Sequence, residues 1–179
     1  MNNDTPAAAL ALAALSLEYC KTVVHSAEMA PKDFVRDMLR YLPRLYLTMA
    51  DLDAGEGADS YDGAYDSGAI YSTVDEEQYD AARSDMAALL GDNDVYLDTP
   101  VEEMRFSDTP VAVSLAEKLA DIFQDMADIA AAIGQTGPEA MPEVLADVKY
   151  RFSAYLSETI CSALRAANYI YFNADFEQQ

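Results

Sequence analysis

The chain has 179 residues, 32 of them acidic and 11 basic, with a formal net charge of −21 and 51% hydrophobic residues. At this length one domain spanning 1–179 is the default, and folding buries about two-thirds of the unfolded surface, enough to sustain a core without staples. Twelve Tyr and six Phe within that apolar half exclude a self-repelling disordered coil, and the negative charge disfavours direct nucleic-acid binding.

The first stretch, Met1 to Cys20, is an Ala/Leu run with Asp4 ahead of it and neither Lys nor Arg, the reverse of a secretory leader. No uncharged apolar stretch approaches about 18 residues, so no transmembrane helix and no membrane partner are expected, and the location read from the sequence is cytoplasmic. Cys20 and Cys161 lie far apart in apolar helical patterns and read as buried thiols, with one disulfide between the terminal helices as the alternative.

Pro and Gly mark the helix boundaries. Asp-Thr-Pro occurs at Asp4–Pro6, Asp98–Pro100 and Asp108–Pro110, and each copy reads as a helix start, with Thr as N-cap and Pro at the first helical position. Capping boxes are expected at Thr73/Glu76, Thr99/Glu102 and Thr136/Glu139. These signals place helices at about 6–27, 31–52, 74–90, 110–133 and 138–172, with a short turn at about 100–105. Pro43 should kink or divide the second.

Periodicity agrees with the punctuation. Leu115, Leu119, Ile122, Met126, Ile129 and Ile133 form one stripe of the fourth helix, edged by Phe123 and Ala130. Val144, Val148, Phe152, Tyr155, Thr159, Ala163 and Ala167 do the same in the fifth. No sustained alternation marks a strand, so the expected fold is an all-α antiparallel bundle of about five to six helices. Residues 51–72, rich in Gly and carboxylates and without Lys or Arg, read as a flexible acidic loop.

Catalytic and cofactor motifs are missing. The one histidine, His25, cannot build a His-rich zinc or paired di-iron site, and its position suits a helix C-terminus. There is no Walker loop, and Gly55-Glu56-Gly57 sits among carboxylates that repel phosphate. Asp51, Asp53, Glu56, Asp59 and Asp62 suggest calcium. An EF-hand register fails, because Gly55 and Glu56 occupy the places of its fifth ligand and its glycine. No catalytic residue, metal ligand or cofactor is therefore assigned.

Two charged faces remain. Glu117, Asp121, Asp125 and Asp128 lie on the fourth helix away from its apolar stripe and read as a solvated acidic face; as paired carboxylates they would need burial to split their pKa values. On the second helix Lys32, Arg36, Arg40 and Arg44 recur every four residues, as partners for Asp33 and Asp37 or as a local anion stripe. Tyr169, Tyr171, Phe172 and Phe176 either cover the bundle end or form a homodimer contact.

Five short blocks, in order along nearly the whole chain, resemble domain-of-unknown-function family 5063. They are Pro43–Leu47, Val74–Asp80, Leu90–Leu97, Leu119–Asp125 and Ser162–Ala166, with Phe123 where the pattern has Tyr. The resemblance implies a single-domain bacterial protein without an assigned activity, cofactor or catalytic residue. It also implies that Asp94, Tyr96, Asp121 and Asp125 belong to the family pattern; on their own these residues read equally as helix caps and inter-helix hydrogen bonds.

Two functional readings follow. The first is a non-enzymatic interaction module that binds a basic protein partner through Glu117, Asp121, Asp125 and Asp128 or through Asp51, Asp53, Asp59 and Asp62, since a field of this sign steers basic partners. The second is a carboxylate- or divalent-metal-dependent enzyme using Asp121 and Asp125. The missing motifs lean away from an enzyme.

Overall fold

The computed structural model describes residues 5–52, 69–99 and 109–176, and the fold is mainly α-helical. Among these residues α1 is Thr5–Val24, α2 Pro31–Ala50, α3 Glu76–Leu90, α4 Leu115–Gln135, α5 Met141–Arg151 and α6 Ser157–Asn173. A π-helical turn, Phe152–Leu156, joins α5 to α6 without a break. Pro43 is accommodated inside a continuous α2.

The core forms around α4, whose expected stripe is buried from Leu115 to Ile133. α1 packs along α4 and α2, α3 lies against α4, and α6 packs on α2 and α4. Tyr19 of α1 is fully buried and donates to the Leu119 carbonyl at 2.8 Å, so its hydroxyl is satisfied where no water reaches it. Cys20, buried beside it, donates weakly to the Phe123 carbonyl, and burial pushes its thiol up to about 12. Cys161 is exposed, and both cysteines are free, which corrects the buried-pair reading and removes the disulfide.

α1 also corrects the expectation about membrane-spanning length. Ala7–Val24 is long and apolar enough to cross a membrane by length and composition, with mean hydropathy 1.5. Glu18 and Lys21 interrupt it, and Leu12, Tyr19 and Val23 are fully buried in the protein core.

The all-α expectation misses a small antiparallel sheet, β1 (Val95–Asp98) paired with β2 (Val111–Ser114), in register from Val95↔Ser114 to Asp98↔Val111. Thr109-Pro110, expected to open a helix, therefore leads into a strand, and the cap of α4 is Ser114, whose hydroxyl accepts from the Glu117 N–H at 3.0 Å. Asp94 locks this junction. Its carboxylate accepts from the Ser114 hydroxyl at 2.8 Å and the Ala116 N–H at 2.7 Å, while its carbonyl accepts from the Leu115 N–H at 2.8 Å. Two orphan backbone donors at one helix start, and the hydroxyl of its cap, are thus satisfied by one residue.

Other starts differ from expectation. α3 is capped by Asp75 with Gln78, not by Thr73 with Glu76, because Thr73 is engaged elsewhere. α5 starts at Met141 behind Ala140 without a side-chain cap, so the Thr136/Glu139 box is not used. The short turn at 100–105 lies outside the described residues, as do Asp53, Asp59 and Asp62. Replacing Asp75 by Ala should remove the capping box and lower stability by about 1 kcal/mol, read as a small downward shift of the urea midpoint at unchanged slope.

The ladder expected across residues 144–167 slips at the π-turn. Val144, Val148, Ala163 and Ala167 are buried as expected and Phe152 packs half-buried against the core, but Tyr155 and Thr159 turn away from it, and Leu156 and Ile160 take their place. A π-turn takes up one extra residue, which shifts by one the positions that face the core just beyond it. Tyr155 is thereby turned toward α4.

Candidate functional site

The acidic side of α4 is not a solvated face. Asp125 is 6% exposed and Asp128 3%, Asp121 is partly buried, and only Glu117 is exposed. The alternation of charge along α4 could not reveal what folds over it: the segment Ala69–Thr73 on one side and the α5/π-turn junction on the other. Together they leave an open cleft of about 370 Å³ lined by Ser72, Asp121, Gln124, Asp125, Asp128, Arg151, Tyr155, Leu156 and Thr159.

Arg151, at the end of α5, holds this arrangement. Its Nη1 donates to Asp125 Oδ1 at 2.9 Å and lies 3.9 Å from Asp128 Oδ2, while its Nη2 donates to the Ile70 carbonyl at 3.0 Å. Tyr155 from the π-turn donates to the same Asp125 oxygen at 2.7 Å. Asp128 Oδ1 accepts from both the Thr73 N–H, at 2.7 Å, and the Thr73 hydroxyl, at 2.8 Å. With Ile70 buried in the core, these bonds anchor the C-terminal end of the stretch expected to be a loose loop. On the rim, Tyr79 of α3 donates to Asp121 Oδ1 at 2.7 Å.

The electrostatics follow from this geometry. Burial raises the Asp125 pKa above the ordinary carboxylate value, and the hydrogen bonds from Tyr155 and Arg151 offset that rise only in part. Tyr155 and Tyr79 are both raised, first by burial and then by donation to Asp125 and Asp121 respectively. The Arg151 pKa is also raised: burial alone would lower it, but its bond to Asp125 prevails.

Most donors of the lining are used within the protein. Tyr155 gives its proton to Asp125, Thr159 to the Tyr155 carbonyl, Ser72 to the Val74 carbonyl, and the Gln124 amide to Ser72. The lining holds three carboxylates against one guanidinium, which reaches only Asp125 and Asp128, so the spare hydrogen-bonding capacity is chiefly acceptor and the charge is negative. Such a cleft suits an ammonium or guanidinium group. Among the described residues no group of three or more His, Cys, Asp or Glu is arranged to hold a metal ion.

A second polar cluster ties β1 to α6. Asp98 accepts from Ser162, Arg165 and the Thr99 N–H, and Tyr96 shares a 2.5 Å hydrogen bond with Ser162. Burial alone would raise the Asp98 pKa, but these donors hold it below the ordinary value. Asp94, Tyr96, Asp121 and Asp125 thus act in the fold as caps and cross-links between elements.

On α2, Arg36 pairs with Asp33 at 2.7 Å and lies 3.7 Å from Asp37, and Arg40 lies 3.5 Å from Asp37. The stripe is therefore partly neutralised on its own helix, with Lys32 and Arg44 exposed beside it. His25 is exposed just beyond α1, its Nδ1 2.8 Å from the Lys21 carbonyl. Tyr171 and Phe176 pack against the core, whereas Tyr169 and Phe172 are about 70% exposed and do not cover the end. Arg151, the organiser of the cleft, escaped sequence reading because an isolated Arg carries no spacing signal.

A mainly helical domain with a small hairpin and one acidic, arginine-centred cleft is the class of protein that results. The chain belongs to the family described as Domain of unknown function (DUF5063), whose sequence model matches residues 3–173. Its fold is similar to the crystal structure of protein BF1032 from Bacteroides fragilis, with a TM-score of 0.71 and 24% identity over 92% of each chain. No curated protein matches.

Proposed function

We propose that this chain is a non-enzymatic interaction domain that receives a basic segment of another protein, seating a Lys or Arg side chain in the α4 cleft. The observation that supports this reading is the cleft itself, negatively charged and with its donors spent internally. The rim adds charge of the same sign: Glu117 on α4 and Asp75, Glu76, Glu77 and Asp80 on α3 are exposed, with Arg83 bound to Asp80. In this proposal the protein is bacterial and cytoplasmic, needs no cofactor, and its helices form an antiparallel bundle. The acidic segment 51–72, carrying Asp51, Asp53, Asp59 and Asp62, supplies further charge to the chain that leads into Ser72.

The test is titration with a fluorescent Lys-rich peptide and its Lys→Gln counterpart at low and high salt. The Lys peptide should bind and weaken steeply with salt, and Asp121→Asn should weaken it by about tenfold, the scale of one partly desolvated charge contact. Asp33→Asn, which removes the same charge from α2, should leave binding nearly unchanged. Equal effects of the two variants would mean nonspecific attraction and would overturn the proposal.

One observation favours the second reading, an enzyme. Asp125 is a carboxyl with a raised pKa in an open cleft, as a general acid requires. Under that reading Asp125→Asn would abolish turnover found in a screen of ester and phosphoester substrates, whereas Tyr79→Phe would spare it. The metal-dependent form of this reading has no ligand set among the described residues.

A further inference from the structure

α1 is apolar on two sides. One side enters the core through Leu12, Tyr19 and Val23. On the other side Ala7, Leu10, Ala14, Leu17, Lys21 and Val24 are all exposed, Leu10 by 66%, Leu17 by 60% and Val24 by 56%. Their spacing alternates three and four along the whole helix, which is the seam of two helices packed side by side rather than a scatter of surface residues.

Charge identifies the occupant. α1 carries one Glu and one Lys, on a chain whose net charge is −21. A basic partner finds almost nothing to pair with on this face, while two copies of so acidic a chain can approach here without carboxylates meeting at the contact. Side-chain size sets the direction. In an antiparallel pair centred between Ala14 and Leu17, Ala7 faces Val24 of the second copy, Leu10 faces Lys21, and Ala14 faces Leu17. Small residues then meet large ones, and the Lys21 stem covers Leu10 while its ammonium reaches water. A parallel pair would instead stack Lys21 on Lys21 and Ala on Ala, leaving like charges together and gaps.

We propose that this face of α1 is the contact surface of a two-fold, antiparallel homodimer. The patch is self-complementary, as a two-fold interface requires. Six side chains per copy are far fewer than the roughly 20–30 of a standard interface, so the dimer is weak and dissociates on dilution. Salt should tighten it by screening the repulsion between the two chains, the opposite of its effect on a basic partner.

Sedimentation of the full chain over a wide concentration range tests this. Wild type should pass from monomer to dimer, and Leu10→Glu/Leu17→Glu should weaken association about a hundredfold or more, with the helical circular dichroism unchanged because both leucines are exposed. Direction is read by oxidation in a Cys161→Ser background: Ala7→Cys/Val24→Cys should cross-link the dimer and Ala7→Cys alone should not. A wild type that stays monomeric overturns the proposal, as does indifference to the double Glu substitution or cross-linking by Ala7→Cys alone. A monomer that binds zwitterionic lipid vesicles, and loses that binding in the double Glu variant, overturns it in favour of a lipid surface.

Discussion

Arg151→Met should destabilise the protein by about 3–5 kcal/mol at neutral pH, a fall in Tm on the order of 10 °C for a chain of this size. The substitution keeps an apolar stem of similar length but removes the guanidinium from between Asp125, Asp128 and the Ile70 carbonyl. Two buried carboxylates then face each other with less compensation, and the Ala69–Thr73 segment loses a tether.

The pH dependence has a definite sign. The pKa of Asp125 is raised in the folded state, so the folded protein holds that proton more tightly than the unfolded chain does. Asp125 therefore costs stability as pH rises from the unfolded carboxylate value through its raised folded value. Removing Arg151 takes away a group that lowers this pKa, which enlarges the cost and moves it to higher pH. The deficit of Arg151→Met should thus be largest at neutral pH and shrink under mildly acidic conditions, in thermal melts across that window. An equal deficit at both ends would mean that packing rather than charge is responsible. In a double-mutant cycle Asp125→Asn should recover part of the loss, since the two residues are in contact.

Leu119→Ala should cost about 3 kcal/mol, within the range for emptying a buried leucine site. Leu119 is fully buried on α4, and its carbonyl receives the Tyr19 hydroxyl, so the cavity would open at the seam between α1 and α4. No titrating group is removed, and the loss should be the same at mildly acidic and neutral pH in urea melts. A loss below about 1 kcal/mol would show that α1 closes onto α4 to fill the space. The contrast with Arg151→Met separates an apolar contribution from an electrostatic one within the same helix.

The parts of the fold legible in the sequence are those with local signals. The α4 stripe was readable because its apolar residues repeat at helical spacing over more than five turns. The hairpin was not, because each strand has four residues and Asp108-Thr109-Pro110 carries the chemistry of a helix start. The cap of α3 was misplaced by two residues because Thr73 and Asp75 both suit a cap, and only the distant Asp128 decides between them.

The same logic applies to the cleft. Asp125 and Asp128 were visible as carboxylates on one helix, but their burial depends on Arg151, Tyr155 and Thr73, which come from other parts of the chain. Periodicity records which face of a helix is apolar. It cannot record that a polar face is covered by polar groups that match it.

The π-turn at Phe152–Leu156 holds one residue more than α-helical winding would over the same length. Deleting one residue inside it would let ordinary winding run from α5 into α6 with the faces beyond nearly in place, so that Ile160, Ala163 and Ile170 stay in the core and Ser162 and Arg165 stay beside Asp98. What would be lost is the widened turn that brings the Tyr155 hydroxyl to Asp125. Deleting one residue within the regular winding of α6 would instead advance everything beyond it by about 1.5 Å and rotate it by about 100°. Loss of a single codon is therefore tolerated by the core at this turn and felt by the cleft, whereas the same loss a few residues further on would misalign the rest of α6.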